Sequence, residues 1–593
     1  MRLTTLSKLL ITFLVVGIVG FLIWKFSPEV AIEESQQLDG INVDDSDVNN
    51  ITDAAKLPLA GESRSSKVGN LPLTRMAAYA WNAQSGIIGA NGGPFTTQGS
   101  MMEANNVNLE IIRQDWLSEL RNLQMKFVQE FDAGEAHPDQ GVFAIMMMGD
   151  GAPYYISSVQ QALNDKYGQD KYHVQVVGAV GLSYGEDKLI GPPKWKMNPK
   201  SMKGALISTV IGDGDWVTTV NYAFANGIPV NPDPTTYDPE AVNFYASAND
   251  DYIESAKELI KSVKEGWTIP LKEIKDGRLT GRTVNKTIDG CATWTPGDKM
   301  VFDAIDGYTD IVSTKEFNNQ MATTVIAVKE WCERNPETVS NILKASYTSS
   351  NQMKLFNEWR RRAAEAVTST YEMEDADYWY GMFKGQQGEK NGISYNMGGS
   401  RVFNLADARQ YYGLEDGVNR YKAVYDQVSY YLKELNPAGF NQNVKRIIPY
   451  NEAVNLDYLK AVKDIDAGEA YASDYSETTN KPRSVLAEGE FNINFASGRA
   501  TLAPGAKDLL DNIYNILIQA EDAKLELVGH TDRDGDADSN FILSQARAQA
   551  VKTYMIQRGI PSSRFRKVIG KGESEPIGNN KAENRRVVIT LLN

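Results

Sequence analysis

At 593 residues the chain exceeds one ordinary domain, and two or three are expected. Its formal charge is -15, from 61 Lys and Arg against 76 Asp and Glu; from Ser484 onward the two signs balance at 14 each, so the excess acid lies upstream. An acidic chain without a basic patch argues against a nucleic-acid partner. Two cysteines, Cys291 and Cys332, and three histidines, His137, His173 and His530, provide neither a disulfide scaffold nor a metal-ligand spacing. Pairing of the two cysteines is left open, and no cofactor or metal is expected.

Arg2 and Lys8 precede an apolar run, Leu9–Phe26, broken only by Thr12, Gly17, Gly20 and Lys25. Its roughly 16–18 apolar positions at about 1.5 Å each reach ~24–27 Å, enough to cross a bilayer with snorkelling ends. The run is long for a cleaved signal, and Ser27-Pro28-Glu29-Val30-Ala31 is a poor cleavage site. An uncleaved anchor over 1–26 is therefore expected, with the N-terminus cytoplasmic and the bulk of the chain periplasmic, at the inner membrane. Residues 27–70, with Asp44-Asp45-Ser46-Asp47 at their centre, lack apolar periodicity and read as a flexible acidic tether.

From 71 to 471 strand-like and helical stretches alternate, which predicts an α/β domain. Strands are expected at Leu73–Trp81, Val107–Ile112, Gly141–Met148, His173–Val180, Gly204–Val210 and Met321–Val328. Helices are expected at Trp116–Phe131, Ile156–Lys166, Trp216–Ala225, Asp251–Val263, Thr338–Tyr347 and Val418–Glu434. The tyrosines Tyr411, Tyr412, Tyr421, Tyr425, Tyr430 and Tyr431 read as packing residues rather than a binding box. The strand, Gly212–Asp215 turn and helix of Lys200–Gly227, and the strand-to-helix run Met321–Tyr347, resemble two-lobed periplasmic solute-binding proteins of the nitrate, sulfonate and pyrimidine-precursor type. The resemblance implies a ligand cleft where strand ends meet helix N-termini. Trp81 and Asn82 would line one wall. Asp213, Gly214, Asp215 and Trp216 open a helix suited to anions or polar head groups, or the aspartates simply cap it. Trp294, Tyr308 and Thr309 are candidates on the opposite lobe.

A polar, Pro-terminated linker (472–483) leads to a tail domain at 484–593. There Leu525 and Leu527 alternate toward Gly529-His530-Thr531-Asp532, a turn follows, and Asn540, Ser544 and Arg547 lie on a helix expected to end at Gly559. An aspartate and an arginine brought together in this way suit a zwitterion: carboxylate to ammonium, guanidinium fork to carboxylate. The run, with Pro576, Asn584-Arg585-Arg586 and a first strand at Phe491–Phe495, resembles the OmpA-like peptidoglycan-binding domain. That resemblance implies a βαβαββ α/β sandwich gripping the diaminopimelate of the wall's peptide stem. Asp532 would take the ammonium and Arg547 the carboxylate, with Thr531, Asn540, Asn584 and Arg585 beside them. Asn580-Lys581 departs from the Gly-Arg the family usually has there, which touches the local loop contacts. Flagellar stators share the plan of one span and such a domain, but Leu9–Trp24 holds no acidic residue to carry protons.

Asp534, Asp536 and Asp538 imitate a calcium loop, yet Ser539 and Gln545 stand where Gly and Glu are required. Gly149-Asp150-Gly151 has no phosphate-loop continuation, and no nucleophile elbow or Cys–His arrangement occurs. The expectation is a non-catalytic, membrane-anchored periplasmic protein that binds peptidoglycan and holds a solute-binding-like domain between membrane and wall. Two alternatives stay open. One is a partner-docking component of an envelope complex with a vestigial cleft; the other is a transporter-associated receptor for a small molecule, its tail used for protein contacts.

Overall fold

The chain leaves its first sheet and returns to it through two adjacent strands, and this divides the middle region into lobes. In the computed structural model, residues 55–471 are described apart from 391 and 392, and 485–592 apart from 492, 494, 496, 497 and 504. The expected anchor, most of the tether and the linker lie outside the described residues. Among those described, no helix is long and apolar enough to cross a membrane.

Lobe one is built on a seven-stranded sheet. Thr74–Ala78 lies between Leu109–Arg113 and Ala144–Met148, parallel to both, and Ala322–Val328 runs antiparallel between Ala144–Met148 and Val174–Tyr184. The central strands are buried on both faces, which explains their near-continuous apolar sequence (Ala-Ile-Met-Met-Met at 144–148). The chain departs after Tyr184 and returns before Ala322. Between these points it builds lobe two on a six-stranded sheet, in which Leu206–Thr209 is flanked by Gly290–Thr293 and Val242–Ala246, both parallel to it.

Helix α1 (Gly214–Ala225) follows Leu206–Thr209 after a turn in which Gly212 takes φ +85°. Helix α2 (Arg420–Leu435) is amphipathic, with Tyr421, Val424, Tyr425, Val428, Tyr431 and Leu432 inward. The tyrosines pack edge to face, Tyr421 against Tyr412 and Tyr425. Two of their hydroxyls have fixed partners: Tyr421 donates to the Gly149 carbonyl and Tyr425 to that of Ile448. Packing, not ligand binding, accounts for these rings.

The tail has the expected βαβαββ order: Val485–Phe491, helix α3 (Ala506–Gln519), Lys524–Gly529, helix α4 (Ala537–Gln557), Phe565–Gly570 and Val587–Leu592. The Val587–Leu592 strand lies between the first strand and Lys524–Gly529. The expected first strand at Phe491–Phe495 is corrected to Val485–Phe491, because Leu486 and Ala487 supply its core contacts.

Two further expectations are corrected. Residues 55–70, assigned to the tether, lie against lobe one. The Leu57 amide donates to Gln352 at 2.8 Å, Trp359 and Arg362 bond the Leu57 and Ala60 carbonyls, and Ala60 and Val68 are buried. The tail is not a separate bead behind its linker: one hydrophobic cluster contains Trp216, Val217 and Val220 of lobe two together with Leu486, Ile513 and Leu517 of the tail. The cysteines are free, each buried in the core of a different lobe.

Polar contacts fix this junction. Arg420 and Glu521 form a buried two-point ion pair at 2.7 and 2.8 Å, and Arg420 also reaches Asp416 and two carbonyls. Asn221 donates to Gln519 at 2.8 Å and to Gln320 at 3.0 Å. Removing one partner of a buried pair strands the other charge. Arg420→Ala should therefore cost about 3–5 kcal/mol in urea unfolding; a loss under about 1 kcal/mol, the range of an exposed pair, would show that the tail does not dock here.

Candidate functional sites in the tail and the interlobe cleft

In the tail, Lys524–Gly529 ends in His530-Thr531-Asp532, held by main-chain bonds from His530 to the Arg586 carbonyl and from Thr531 to the Gly572 carbonyl. Asp536 caps α4 by accepting from the Ser539 amide, so the acidic run is a turn and helix cap. No group of His, Cys, Asp and Glu suited to a metal occurs among the described residues.

Asp532 is 8% exposed and accepts from the Asp534 amide and from Arg585 at 2.6 Å. Burial opposes its ionisation, but the Arg585 hydrogen bond and charge outweigh that and hold the carboxyl below the usual aspartate range. Arg547 projects from α4 with its guanidinium over the Phe495 ring, 5.0 Å from the centroid, and its Nε on the Arg499 carbonyl at 3.3 Å. No carboxylate pairs with it among the described residues. Burial and the nearby Arg585 lower its pKa, while Asp532 acts in the opposite sense. Asp532 and Arg547 are thus within electrostatic reach but not bonded, and Arg585 occupies the carboxylate.

The neighbouring candidates divide. The Thr531 hydroxyl is buried without a partner. Asn540 donates to Glu573 at 2.6 Å. Asn584 is consumed in its own loop, accepting from the Ile577 amide and donating to the Gly578 carbonyl, both at 2.9 Å. At the departure from the family pattern, Lys581 bridges to Asp534 at 2.7 Å. Burial and Arg586 push His530 down to about 4, so it is neutral at neutral pH. Phe495 entered the sequence reading only as the end of the expected first strand; an aromatic there carries no binding signal until the fold sets it beneath Arg547.

The cleft candidates converge where strands of both lobes end. Tyr79, Trp81 and Asn82 follow Thr74–Ala78, Asp150 follows Ala144–Met148, and Asp213–Trp216 begin α1. The loops of the two lobes touch. A Cβ on Gly214 would lie 2.7 Å from Asp150 Oδ1, and one on Gly151 would lie 2.3 Å from Asp213 Oδ1. Asp213 caps α1 by accepting from the Gly214 amide at 2.9 Å, which favours the capping reading over the anion reading. Trp294 stacks on Tyr252 with centroids 3.4 Å apart and meets Tyr79 edge-on at 5.9 Å. Tyr308 does not join the group: its hydroxyl donates to the Asp289 carbonyl, and its ring packs beside Ile190 and Cys291. Thr309 is likewise buried in its strand.

Glu186, Asp187 and Lys188, on the crossover, were not anticipated, and neither was Asp150. Lys188 is fully buried and is used up by Asp298 and the carbonyls of Glu186 and Met397. Burial is the largest cause raising the carboxyls of Asp150, Glu186, Asp187, Asp213, Asp215 and Asp298; Asp213 rises to about 6.

Residues 494–590 match the model of the OmpA family. The C-terminal domain is OmpA-like. The probable lipoprotein YiaD of Escherichia coli K12 is 38% identical over 105 residues, covering 17% of this chain and 48% of that protein. The chain spans about half or less of the length of the curated relatives it matches first. The solved cell wall anchor of the T6SS of Pseudomonas aeruginosa is 31% identical, covering 17% of this chain and 75% of that one, with TM-score 0.15. The periplasmic aliphatic sulphonate binding protein SsuA of Escherichia coli is 8% identical over 64% of this chain and 97% of its own, with TM-score 0.39. The whole is a mixed α/β protein in which a region built on two main sheets precedes the OmpA-like domain.

Raised carboxyls make the folded chain bind more protons than the unfolded chain between the two pKa values. Their contribution to stability is therefore greatest at low pH and falls as pH rises from 3.8 through about 6 for Asp213. Thermal unfolding of Asp213→Asn should show a shallower loss of stability across that window than wild type. Parallel pH profiles would contradict the assignment.

Proposed function

We propose that the protein is a non-catalytic cell-envelope protein whose tail grips the peptide stem of peptidoglycan and so fixes the two-lobed domain at the wall. The observation that carries this reading is the Arg547 guanidinium, set over Phe495 with no carboxylate partner among the described residues and within the field of Asp532. An incoming diaminopimelate would present its carboxylate to the Arg547 fork. Its ammonium would replace Arg585 on Asp532, the Thr531 hydroxyl supplying a further hydrogen bond. Arg585 keeps Asp532 ionised while the site is empty, and its exposed side chain can swing away at small cost. On this reading Leu9–Phe26 anchors the chain in the inner membrane, and the lobes hold a small molecule between membrane and wall. The partner-docking alternative keeps the wall contact and leaves the cleft without a ligand.

Because the tail shares its core with lobe two, the test uses the whole chain. Wild type should sediment with purified sacculi, and Arg547→Ala and Asp532→Ala should each stay in the supernatant while keeping the wild-type melting temperature within a few degrees. Undiminished sedimentation of both variants would remove the clamp. Membranes washed at high pH should retain the native chain and release one in which residues 1–26 are replaced by a cleavable signal; release of both would remove the anchor.

A further inference from the structure

The interlobe region contains more buried carboxyl groups than the chain pairs with a cation, and burial opposes their ionisation. Asp187 and Asp215 are 0% and 1% exposed; neither oxygen of Asp215 has a hydrogen-bond partner, and the Asp187 carboxyl has the Ser183 hydroxyl beside it but no cation of its own. One oxygen of Glu186 is also unpartnered, the other being bonded by Ser400. Asp150 and Asp213 are better served, by Gln320 at 2.8 Å and by the Gly214 amide, but neither meets a cation. Lys188 does not resolve the imbalance, since Asp298 and two carbonyls already engage it. An unpaired buried carboxylate is among the costlier features a fold can carry. Several in one place indicate that something outside the chain completes them.

A second set of atoms, not acidic, points to the same place. The Tyr79 hydroxyl is buried and lies within hydrogen-bonding reach of the Asp213 carboxyl. Both amide atoms of Asn82 and the Trp81 Nε1 are buried without a hydrogen-bond partner. Tyr79, Trp294 and Tyr252 are in successive ring contact, so an aromatic wall stands beside the acids. Aromatic faces next to carboxylates suit an organic cation. A metal ion is disfavoured, since no three acidic, histidine or cysteine side chains among the described residues converge as ligands. A cation would offset the burial that opposes ionisation of these carboxyls, whereas an anion would oppose it further.

We propose that the cleft is a receptor site for a small organic ammonium ion, held by the carboxylates of Asp187 and Asp215, with Tyr79 and Asn82 as polar contacts and Trp294 in the aromatic wall. This rests on the small-molecule reading of the lobes and gives it a chemical class. The carboxylates come from the crossover and from lobe two, while Tyr79 and Asn82 come from lobe one. A bound cation therefore bridges the lobes and stabilises their closed arrangement.

The test is thermal unfolding of the full chain with choline, putrescine and methylammonium chlorides, against sodium ethanesulfonate, sodium nitrate and matched sodium chloride. At least one ammonium salt should raise the melting temperature in a saturable way, as binding to the folded state requires, and neither anion should. Asp187→Asn with Asp215→Asn should melt higher than wild type without ligand and lose the ammonium response. If that variant does not fold, Tyr79→Phe should weaken the response several-fold. A rise with ethanesulfonate or nitrate alone would overturn the cationic class and leave the small-molecule reading standing. No response to any salt would overturn both, and an ammonium response unchanged in the variants would overturn the site.

Discussion

One buried helix ties the two halves of this protein together. Every residue of Gly214–Ala225 except Phe224 is buried. Its N-terminus carries Asp213 and Asp215 into the interlobe cleft, while Asn221, Phe224 and the following Asn226 meet the tail through Gln519, Phe491 and the Glu488 amide. A helix buried all round cannot shift at one end without repacking at the other, because protein interiors are close-packed. The same helix lies on a continuous hydrogen-bonded path. Gln320 donates to Asp150 in the cleft and accepts from Asn221, which in turn donates to Gln519 in the tail. The geometry of the cleft and the seating of the OmpA-like domain therefore rest on one set of contacts.

This docking fixes what the tail can present. Its face toward α2 and lobe two is used by the Arg420–Glu521 pair and by apolar residues of α3. The clamp sits at the end of Lys524–Gly529 and on α4, where the exposed side chains of Arg585, Asp534 and Lys581 surround it. The protein concentrates stabilising contacts at the junction, and among the described residues two places stay incomplete: a guanidinium without a carboxylate in the tail, and buried carboxyls without a cation in the cleft. Departures from local satisfaction of this kind are what binding sites look like before they are filled.

Much of this was legible in the sequence wherever the signal is local. Periodicity located Leu109–Arg113, Ala144–Met148 and Ala322–Val328, and the helices Leu117–Asp132 and Arg420–Leu435, to within a few residues. The spaced run from Gly529 to Arg547 put Asp532 and Arg547 within reach of each other, because its residues lie on consecutive elements. The acid cluster was not legible. Asp150, Asp187 and Asp213 stand in separate loops, each an ordinary turn by itself, and only the topology that ends these strands together makes them one group. The junction was hidden for the same reason: Arg420 and Glu521 are 101 positions apart. The hairpin Ile269–Lys286 was missed because the Arg278–Lys286 strand is mostly exposed and carries no apolar alternation.

The central claim is that the tail recognises both charges of one zwitterion, and the ligand itself tests this most directly. Calorimetric titration of the full chain with a stem peptide ending in meso-diaminopimelate should show binding, and the same peptide with lysine in that place should bind at least about tenfold more weakly, about 1.4 kcal/mol. Lysine keeps the ammonium for Asp532 and lacks the carboxylate for Arg547. Equal affinity for the two peptides would contradict the account.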